Sequence, residues 1–430
     1  MQTLLEKLNQ DHIYENLSKL SLKDKKTLLS QIESFDVFSL FKQKKDFSSS
    51  SSIKSLLPWT KCSFSNEQDR KVGEEILKKG QVALVMLAGG QGTRFGFGQV
   101  KGCFPITPIK KKSLFQLFAE KIIAAQKKYQ AVFPLAVMVS ALNEEETISF
   151  FQKNQFFGLD SSNVYFFKQN LLPFLDEKGK WIFSSKNKIA MGPDGNGDLF
   201  YHLSRSGIWK KLRQKNIKYL SIFSVDNPLV NPFEESLIGH HKIHQNEVTL
   251  RAIEKEKNMG LLAENEGKLQ IIEYLYFKDK KNLEKDFLFA NANHFIVANP
   301  FVEKAQEKNK DLFYHSVKKR KVFSKKEKII FKSEKFLFEN FAFAEKVGAV
   351  LYPQKECFSP LKNNDDICCV EKDLLGRDKQ ILLDLGVNKS LFKKKFELSQ
   401  DFHFPTQSLK EKCKKTLYPI EGYIQETDLV

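Results

Sequence analysis

Residues 82–96 read VALVMLAGGQGTRFG, and this stretch decides the interpretation of the 430-residue chain. Its first half, Val82–Leu87, is an uninterrupted apolar run, which is typical of a strand buried on both faces of a parallel sheet. Four glycines follow within residues 89–96. Because glycine lets the backbone approach a ligand closely and turn its amides toward an anion, the stretch predicts a phosphate-binding loop at the end of a buried strand.

Two cations accompany this glycine loop. Arg94 offers a forked guanidinium that suits phosphate oxygens, and Lys101 adds a second, point-like positive charge. The spacing excludes two common phosphate loops. No Gly-Lys pair is followed by Ser or Thr, as a P-loop requires, and the glycines are spaced GxGxxxG rather than GxGxxG, which argues against a Rossmann dehydrogenase.

Short apolar runs alternate with amphipathic stretches beyond about residue 80. The predicted strands are 82–87, 135–139, 164–167, 219–224, 248–253 and 271–274, and the predicted helices are 113–129, 143–153 and 198–212. Asn143, with Glu146 three residues later, is a capping pattern at the start of the second of these helices. Strand–helix alternation with nearly all-apolar strands predicts an α/β fold whose largely parallel sheet is covered on both faces. Ligands of such sheets bind beyond the carboxyl ends of the strands, where the glycine loop lies.

Composition indicates a folded protein of the cytoplasm. Apolar residues make up 41% of the chain and charged residues 28%, and no run approaches the roughly 18 apolar residues that span a membrane. The first thirty residues carry four acidic side chains and no apolar segment followed by a cleavage site. Six scattered cysteines, without a CxxC pair, are expected to be reduced thiols.

The positive net charge has two interpretations. Lys and Arg exceed Asp and Glu by 69 − 52 = +17, which would suit an anionic partner such as nucleic acid, a membrane surface or a phosphorylated small molecule. However, the lysines are spread along the chain, and the signature of a nucleic-acid-binding module is missing. A nucleic-acid-binding protein is therefore the remote alternative.

Three units are predicted along the chain. Residues 1–78 form an N-terminal helical extension, an appendage outside the chemical centre that contains the serine-rich joint Ser48–Ser52. Residues 79–375 form the domain with the glycine loop. Residues 376–430 form a small, Lys-rich C-terminal domain.

Several further motifs share one family's order. After the glycine loop and Lys101-Gly102 come MGPDGNGD at 191–198, SVDN at 224–227, IIEY at 271–274, NHF at 293–295 and SPLKN at 359–363. With these motifs, which span roughly residues 60–365, the chain resembles the eukaryotic-type UDP-sugar pyrophosphorylases, and most nearly the UDP-N-acetylhexosamine pyrophosphorylases. The stretch FFKQNLLP at 166–173 is also similar to the family's FFQQGMLP.

This resemblance implies a fold and a reaction. The fold is a Rossmann-like nucleotidyltransferase core with a mixed, mostly parallel sheet, formed by residues 79–375. The reaction joins UTP to a hexose 1-phosphate and releases UDP-sugar and pyrophosphate. It needs no protein nucleophile, because a phosphate oxygen of the sugar attacks the α-phosphorus in line, and catalysis then consists of positioning and charge neutralisation. N-acetylglucosamine 1-phosphate is the favoured sugar, while N-acetylgalactosamine 1-phosphate and glucose 1-phosphate stay open.

The resemblance also assigns site residues. The implied catalytic residues are Arg94, Lys101 and Lys362; the implied nucleotide-binding residues are Leu87, Ala88, Gly89, Gly90, Gln169 and Gly195; the implied sugar-binding residues are Asn196, Glu273 and Asn293. The Gln169 amide offers one donor and one acceptor, which matches the edge of uracil.

Asp226 is the candidate metal ligand. It follows the apolar strand 219–224, the place where a carboxylate faces the ligand crevice of a parallel sheet. One carboxylate together with substrate phosphates and water is the usual way to hold Mg²⁺ in proteins, and Mg²⁺ is the predicted cofactor.

The chain departs from the family pattern at three places. Val100 replaces the proline of PKG, Asp198 replaces the last glycine of PDGNGG, and Ala290 replaces the first asparagine of NIAN. The last change lies on the sugar side and leaves the choice of sugar open. A degenerate UDP-sugar sensor is disfavoured because all the expected charged residues are present.

Three histidines cluster at 240, 241 and 244. Residues four apart share a helix face, but a metal site also needs a third ligand, which the local sequence does not supply. The segment is therefore predicted to be a solvated helix face.

Overall fold

The computed structural model describes residues 2–48, 56–90, 92, 96–256, 259–277, 281–323 and 326–429. The helices of these ranges are α1 Gln2–Lys7, α2 His12–Ser18, α3 Leu22–Glu33, α4 Val37–Phe47, α5 Glu67–Lys78, α6 Leu114–Tyr129, α7 Glu144–Lys153, α8 Leu199–Arg205, α9 Ile208–Gln214, α10 Glu235–Ile243, α11 Lys281–Glu284, α12 Asn299–Glu307, α13 Gln354–Cys357, α14 Ile367–Asp384 and α15 Gln407–Lys415. Of the helices in this part of the chain, none is both long and apolar enough to cross a lipid bilayer.

The strands belong to one large central sheet and to small two-stranded sheets around it. They are β1 Leu57–Pro58, β2 Val82–Leu87, β3 Leu135–Ser140, β4 Val164–Gln169, β5 Leu171–Pro173, β6 Phe183–Ser185, β7 Lys188–Ile189, β8 Met191–Pro193, β9 Tyr219–Ser224, β10 Val248–Glu254, β11 Leu261–Asn265, β12 Lys268–Ile272, β13 Phe289–Ala298, β14 His315–Phe323, β15 Lys326–Glu334, β16 Val347–Leu351, β17 Phe392–Leu398 and β18 Ile420–Ile424.

The central sheet is mixed, as predicted. Its main path runs β1-β11-β13-β9-β2-β3-β4, and β10 pairs with β13 on one side and with β16 on the other. The neighbours β9, β2, β3 and β4 are parallel, whereas β13 runs antiparallel to β9 and to β10. The parallel half of the sheet therefore gathers four strand ends at one edge, and it carries the glycine loop.

Both faces of the sheet are covered, because almost all side chains of its central parallel strands β2 and β3 are buried. Met86 and Val137 pack with Phe118 of α6 on one face. Val85 and Ala136 pack with helices α8 and α9 on the other. The continuous apolar strands thus reflect burial on two sides.

Most predicted elements are present with small shifts in their ends, and two predictions were wrong. The helix predicted at 198–212 is two helices, α8 and α9, since the chain breaks at Gly207, which has a φ of +76°. The strand predicted at 271–274 is β12, which begins three residues earlier and ends at Ile272.

The N-terminal helices pack against the rest of the chain. Leu5 and Leu28 share a core with Leu172 and Trp181 around the small sheets. The Gln43 amide donates hydrogen bonds to the Pro173 carbonyl (2.9 Å) and to the Ser333 hydroxyl (3.0 Å). The extension therefore stabilises the region that follows β4, in addition to burying its own apolar face.

The C-terminal segment has its own small core. The residues of this core come from the end of α14, from β17, α15 and β18, and they begin at Ile381. Helix α14 continues through residue 375, so the predicted division between 375 and 376 falls inside a helix.

The histidine-bearing helix α10 is packed, which contradicts the predicted solvated face. His240 is 3% exposed and His241 1% exposed. Helices α5 and α10 approach so closely that a Cβ at Gly73 would overlap the backbone of Glu235, and a Cβ at Gly239 would overlap the backbone of Asp69. This glycine crossing, which periodicity does not reveal, buries the helix face that carries His240.

Candidate active site

The predicted nucleotide-binding and metal-binding residues meet at the carboxyl edge of the parallel strands. Leu87, at the end of β2, pairs with Ser224 at the end of β9 and with Met138 of β3. The glycine loop and Asp226, which follow β2 and β9, therefore leave the sheet side by side. Gln169 is the last residue of β4 at the same edge.

Lys101 joins the metal candidate to the distal SPLKN segment. Its ammonium group lies 3.2 Å from Asp226 Oδ2 and 3.2 Å from the carbonyl oxygen of Leu361. The Leu361 amide in turn donates a 2.7 Å hydrogen bond to the carbonyl of Asp226. The structure thus brings Lys101, Asp226 and the residue before Lys362 into contact from positions far apart in the chain.

Asn227, which follows Asp226, adds two hydrogen bonds to the segment that contains the SPLKN motif. The Asn227 side chain donates to the Cys357 carbonyl at 2.8 Å and accepts from the Ser359 amide at 3.0 Å. Beneath it, the buried ammonium of Lys121 donates to the carbonyls of Pro228 (2.6 Å) and Val230 (2.8 Å). Burial lowers the pKa of Lys121 to about 7.

Two residues that sequence reasoning did not assign to the site hold the glycine loop. The Asn143 amide donates to the carbonyls of Ala88 (2.8 Å) and Gly90 (3.4 Å), while its oxygen accepts from the Ser140 amide (2.7 Å). The predicted capping of α7 by Asn143 and Glu146 was wrong, since Asn143 makes no capping bond and Glu146 accepts from the Val100 amide at 3.0 Å. Asn143 and Glu146 could have been found from the sequence as a polar pair just beyond β3, because ligands bind at that edge of the sheet.

Gln169 is 6% exposed and lies against the glycine loop. A Cβ added to Gly89 would overlap the Gln169 side-chain amide. The absence of a side chain at Gly89 therefore makes room for the group predicted to bind the base.

The PDGNGD loop packs against the residues that directly follow β15. Gly195 has a φ of +92°, and a Cβ there would overlap the Lys335 backbone. The Asn196 side-chain oxygen accepts from the Leu337 amide at 2.9 Å. Its amide nitrogen is the part of this side chain that remains to contact a ligand.

Asp198, which replaces a family glycine, has a partner of its own. The ammonium of Lys335, itself 2% exposed, lies 3.0 Å from both Asp198 carboxylate oxygens. Burial, followed by the charge of Asp198, holds the pKa of Asp194 well above its ordinary value. Asp198 therefore forms a buried ion pair under the loop and does not cap α8 through its side chain.

Glu273 lies within electrostatic reach of Lys362. Burial, followed by the charge of Glu334, raises the pKa of Glu273, and the positive charge of Lys362 acts in the opposite direction. Lys362 is exposed, and its amide donates to Asp366 at 2.7 Å. A carboxylate acceptor and a cation thus stand near each other, which suits a phosphorylated sugar.

Asn293 lies at the exposed end of a side-chain bridge within β13. Its amide donates to Asn291 Oδ1 at 2.8 Å, and its own Oδ1 accepts from the Asn291 side chain at 2.7 Å. Asn293 has a φ of +53°, so the bridge fixes a turned backbone. Arg94 lies outside the described residues, and its role stays a prediction.

Comparison with known proteins agrees with this geometry. Residues 35–412 match the family described as UTP–glucose-1-phosphate uridylyltransferase. The chain belongs to this family.

Several known proteins are similar to this chain over most of its length. A protein of Schizosaccharomyces pombe named probable UDP-N-acetylglucosamine pyrophosphorylase is 31% identical over 90% of this chain and 91% of its own length. The UDP-N-acetylglucosamine pyrophosphorylase of Saccharomyces cerevisiae is 30% identical over 72% of each chain. The crystal structure of the Trypanosoma brucei uridine diphosphate N-acetylglucosamine pyrophosphorylase in complex with inhibitor has a TM-score of 0.83 at 25% identity and covers 98% of this chain and 97% of that one. The predicted nucleotidyltransferase of the UDP-sugar pyrophosphorylase type is therefore confirmed.

We expect Gly89→Ala in this uridylyltransferase to raise KM for UTP by roughly 10-fold or more with little change in KM for the sugar phosphate. The new methyl group displaces the Gln169 amide, and one lost hydrogen-bonding group costs about 1–3 kcal/mol. Steady-state kinetics with each substrate varied in turn measures this. Gly376→Ala, where an added Cβ meets open space, is the matched control. An unchanged KM for UTP in Gly89→Ala would contradict the assignment of Gln169 to the base.

Proposed function

We propose that this protein transfers a uridylyl group from UTP to N-acetylglucosamine 1-phosphate. The observation that carries the proposal is the contact of the Lys101 ammonium with both Asp226 and the Leu361 carbonyl beside the glycine loop. It joins an anion-binding loop, a cation and a metal-type carboxylate at one strand edge. These are the groups that a phosphoryl transfer without a protein nucleophile requires.

Lys101 and Lys362 act on the negative charges of different phosphate groups. Lys101, beside the glycine loop, neutralises the charge that develops on the pyrophosphate as the bond to the α-phosphorus breaks. Lys362, which is exposed and within electrostatic reach of Glu273, orients the incoming sugar phosphate so that its oxygen attacks in line. Positioning of this kind converts the encounter of two substrates into a reaction within one complex.

Asp226 suits a divalent cation by its chemistry. It is a carboxylate at a strand edge, its backbone carbonyl accepts from the Leu361 amide, and its Oδ2 accepts from Lys101. Hard oxygen ligands of this kind are those that Mg²⁺ prefers, and a single carboxylate with substrate phosphates is sufficient. Bound Mg²⁺ would supply charge neutralisation to the phosphates. Asp226 would hold it, and Lys101 would hold Asp226 in place.

The sugar is proposed from the relatives and from the distal wall of the site. The two relatives and the solved structure above carry UDP-N-acetylglucosamine in their names. The Asn196 amide, Glu273 and the Asn293 side chain supply both donors and acceptors on that side of the site. An N-acetyl group, which offers one donor and one acceptor, matches such a mixed set.

A pyrophosphate-release assay tests this function. We expect UTP with N-acetylglucosamine 1-phosphate to give the highest kcat/KM, above N-acetylgalactosamine 1-phosphate and glucose 1-phosphate. We expect ATP and GTP to be far poorer, because a purine clashes at Gln169 and leaves polar groups unpaired. Equal turnover with ATP would contradict the uracil site, and a preference for glucose 1-phosphate would contradict the proposed sugar.

A further inference from the structure

The packed helices α5 and α10 bring together a carboxylate and two imidazoles away from the candidate active site. Asp69, His240 and His244 each offer one ligand atom, and these atoms lie within 4.8 Å of one another. Asp69 comes from the first turn of α5, and His240 and His244 are one turn apart at the end of α10. The third ligand that the local sequence does not supply is thus provided by a different helix.

This cluster contains buried polar atoms without partners. Asp69 is 0% exposed and His240 3% exposed. Within the described part of the chain, neither Asp69 Oδ1 nor His240 Nδ1 has a hydrogen-bond partner. Because an unpartnered buried polar group costs about 1–3 kcal/mol, such a pair indicates a ligand that the side chains themselves do not include.

The spacing suits a small metal ion. His240 Nδ1 lies 3.6 Å from Asp69 Oδ2, which is too long for a hydrogen bond. A tetrahedral ion with bonds of about 2.0–2.1 Å holds its ligand atoms roughly 3.4 Å apart. His244 is exposed, and the centroids of the His240 and His244 imidazole rings lie 4.0 Å apart.

One ligand of the cluster is already held in place by the start of α5. The Asp69 carboxylate is oriented by the backbone amide of Asn66, which donates to its Oδ2 at 3.0 Å, as partners of metal ligands commonly do.

We propose that Asp69, His240 and His244 bind one Zn²⁺ ion, with water as the fourth ligand on the exposed side. Two imidazoles and one carboxylate suit Zn²⁺ and disfavour Mg²⁺ and Ca²⁺, which take oxygen ligands. The ion ties the start of α5 to the end of α10. It lies at the opposite edge of the sheet from Asp226, because His244 precedes the first residue of β10, which aligns through β13 with the start of β9.

Zinc binding to the full-length protein tests the proposal. Cys368 and Cys369, which are exposed and adjacent to each other in the chain, are first replaced by serine so that their thiols take up no zinc. Millimolar Mg²⁺ is kept present to occupy oxygen sites. Titration against a chromophoric chelator is expected to give one equivalent of tightly bound Zn²⁺. Zinc is also expected to raise Tm, because it binds the folded state. Co²⁺ is expected to give the visible absorption of a four-coordinate site.

His244→Ala is the decisive variant, because its side chain is exposed and the fold does not depend on it. We expect it to weaken zinc binding by more than the roughly 10- to 100-fold that loss of an outer partner costs, and to abolish the rise in Tm. Lys242→Ala, an exposed change on the same helix, is expected to bind zinc as the parent does, and both variants are expected to keep turnover with UTP. The absence of one tight equivalent in the parent, or wild-type affinity in His244→Ala, would overturn the proposal.

Discussion

Replacing Asp226 by asparagine is expected to lower kcat by roughly 10²- to 10³-fold and to leave the fold intact. The substitution removes one formal charge from the proposed Mg²⁺ ligand and keeps its shape. The backbone hydrogen bond from the Leu361 amide to the carbonyl at position 226 does not involve the side chain. The amide oxygen of asparagine also remains able to accept from Lys101. The loss therefore falls on catalysis, and Tm is expected to change little.

The measurement combines pyrophosphate release across a Mg²⁺ titration with thermal unfolding. Asp311→Asn, an exposed change of the same type in a short turn, serves as the control and is expected to keep wild-type kinetics. EDTA is expected to abolish turnover of the unmodified protein. A wild-type rate for Asp226→Asn at every Mg²⁺ concentration would show that Asp226 is only a partner of Lys101.

Replacing the two lysines is expected to affect different kinetic constants. Lys101→Ala lowers kcat more than it weakens binding, because its charge acts on the departing pyrophosphate. Lys362→Ala raises KM for the sugar 1-phosphate and also slows the step. Each loss of a charge-assisted contact is worth roughly 1.5–3 kcal/mol, or about 10- to 150-fold.

The double variant and a neutral control sharpen this comparison. If both lysines act on one transition state, the combined loss is smaller than the product of the single losses. Lys355→Ala, an exposed change before the SPLKN motif, is expected to leave all constants unchanged. Wild-type kinetics for Lys362→Ala would remove the distal segment from the active site.

The sequence motifs predicted the strand and the loop of the candidate site, but they did not predict the side chains that hold the loop in place. The apolar run Val82–Leu87 and the glycines after it predicted the buried strand and its loop, because burial on two faces leaves a simple pattern. Asn143 was predicted to be a helix cap. Its partners on the glycine loop lie more than 50 residues away in the chain, so the local sequence does not show them. Such partners are set by how strands stack, which local patterns do not contain.

The same limit applies to burial. Three histidines within five residues predicted a solvated face, but the close crossing at Gly73 and Gly239 buries His240, and His241 packs against Thr249 and Tyr219 of the central sheet. A single helix sequence does not show which neighbour will cover it. Likewise, the antiparallel strand β13 in the middle of the sheet follows from the path of the whole chain, and alternating apolar runs suggested a more parallel arrangement.

The contacts of Asp226 also determine when the site can form during folding. Lys101 and Leu361 are 260 residues apart, and Asn227 and Ser359 are 132 apart, so these contacts have a very large sequence separation. A nascent chain that has not yet released residues 357–361 lacks the partners of this loop, even if the parallel strands have already formed. Long-range contacts of this kind are slow to close. We therefore expect the proposed active site to assemble late, after most of the chain has left the ribosome, and until then the strand edge proposed to bind nucleotide stays open to water.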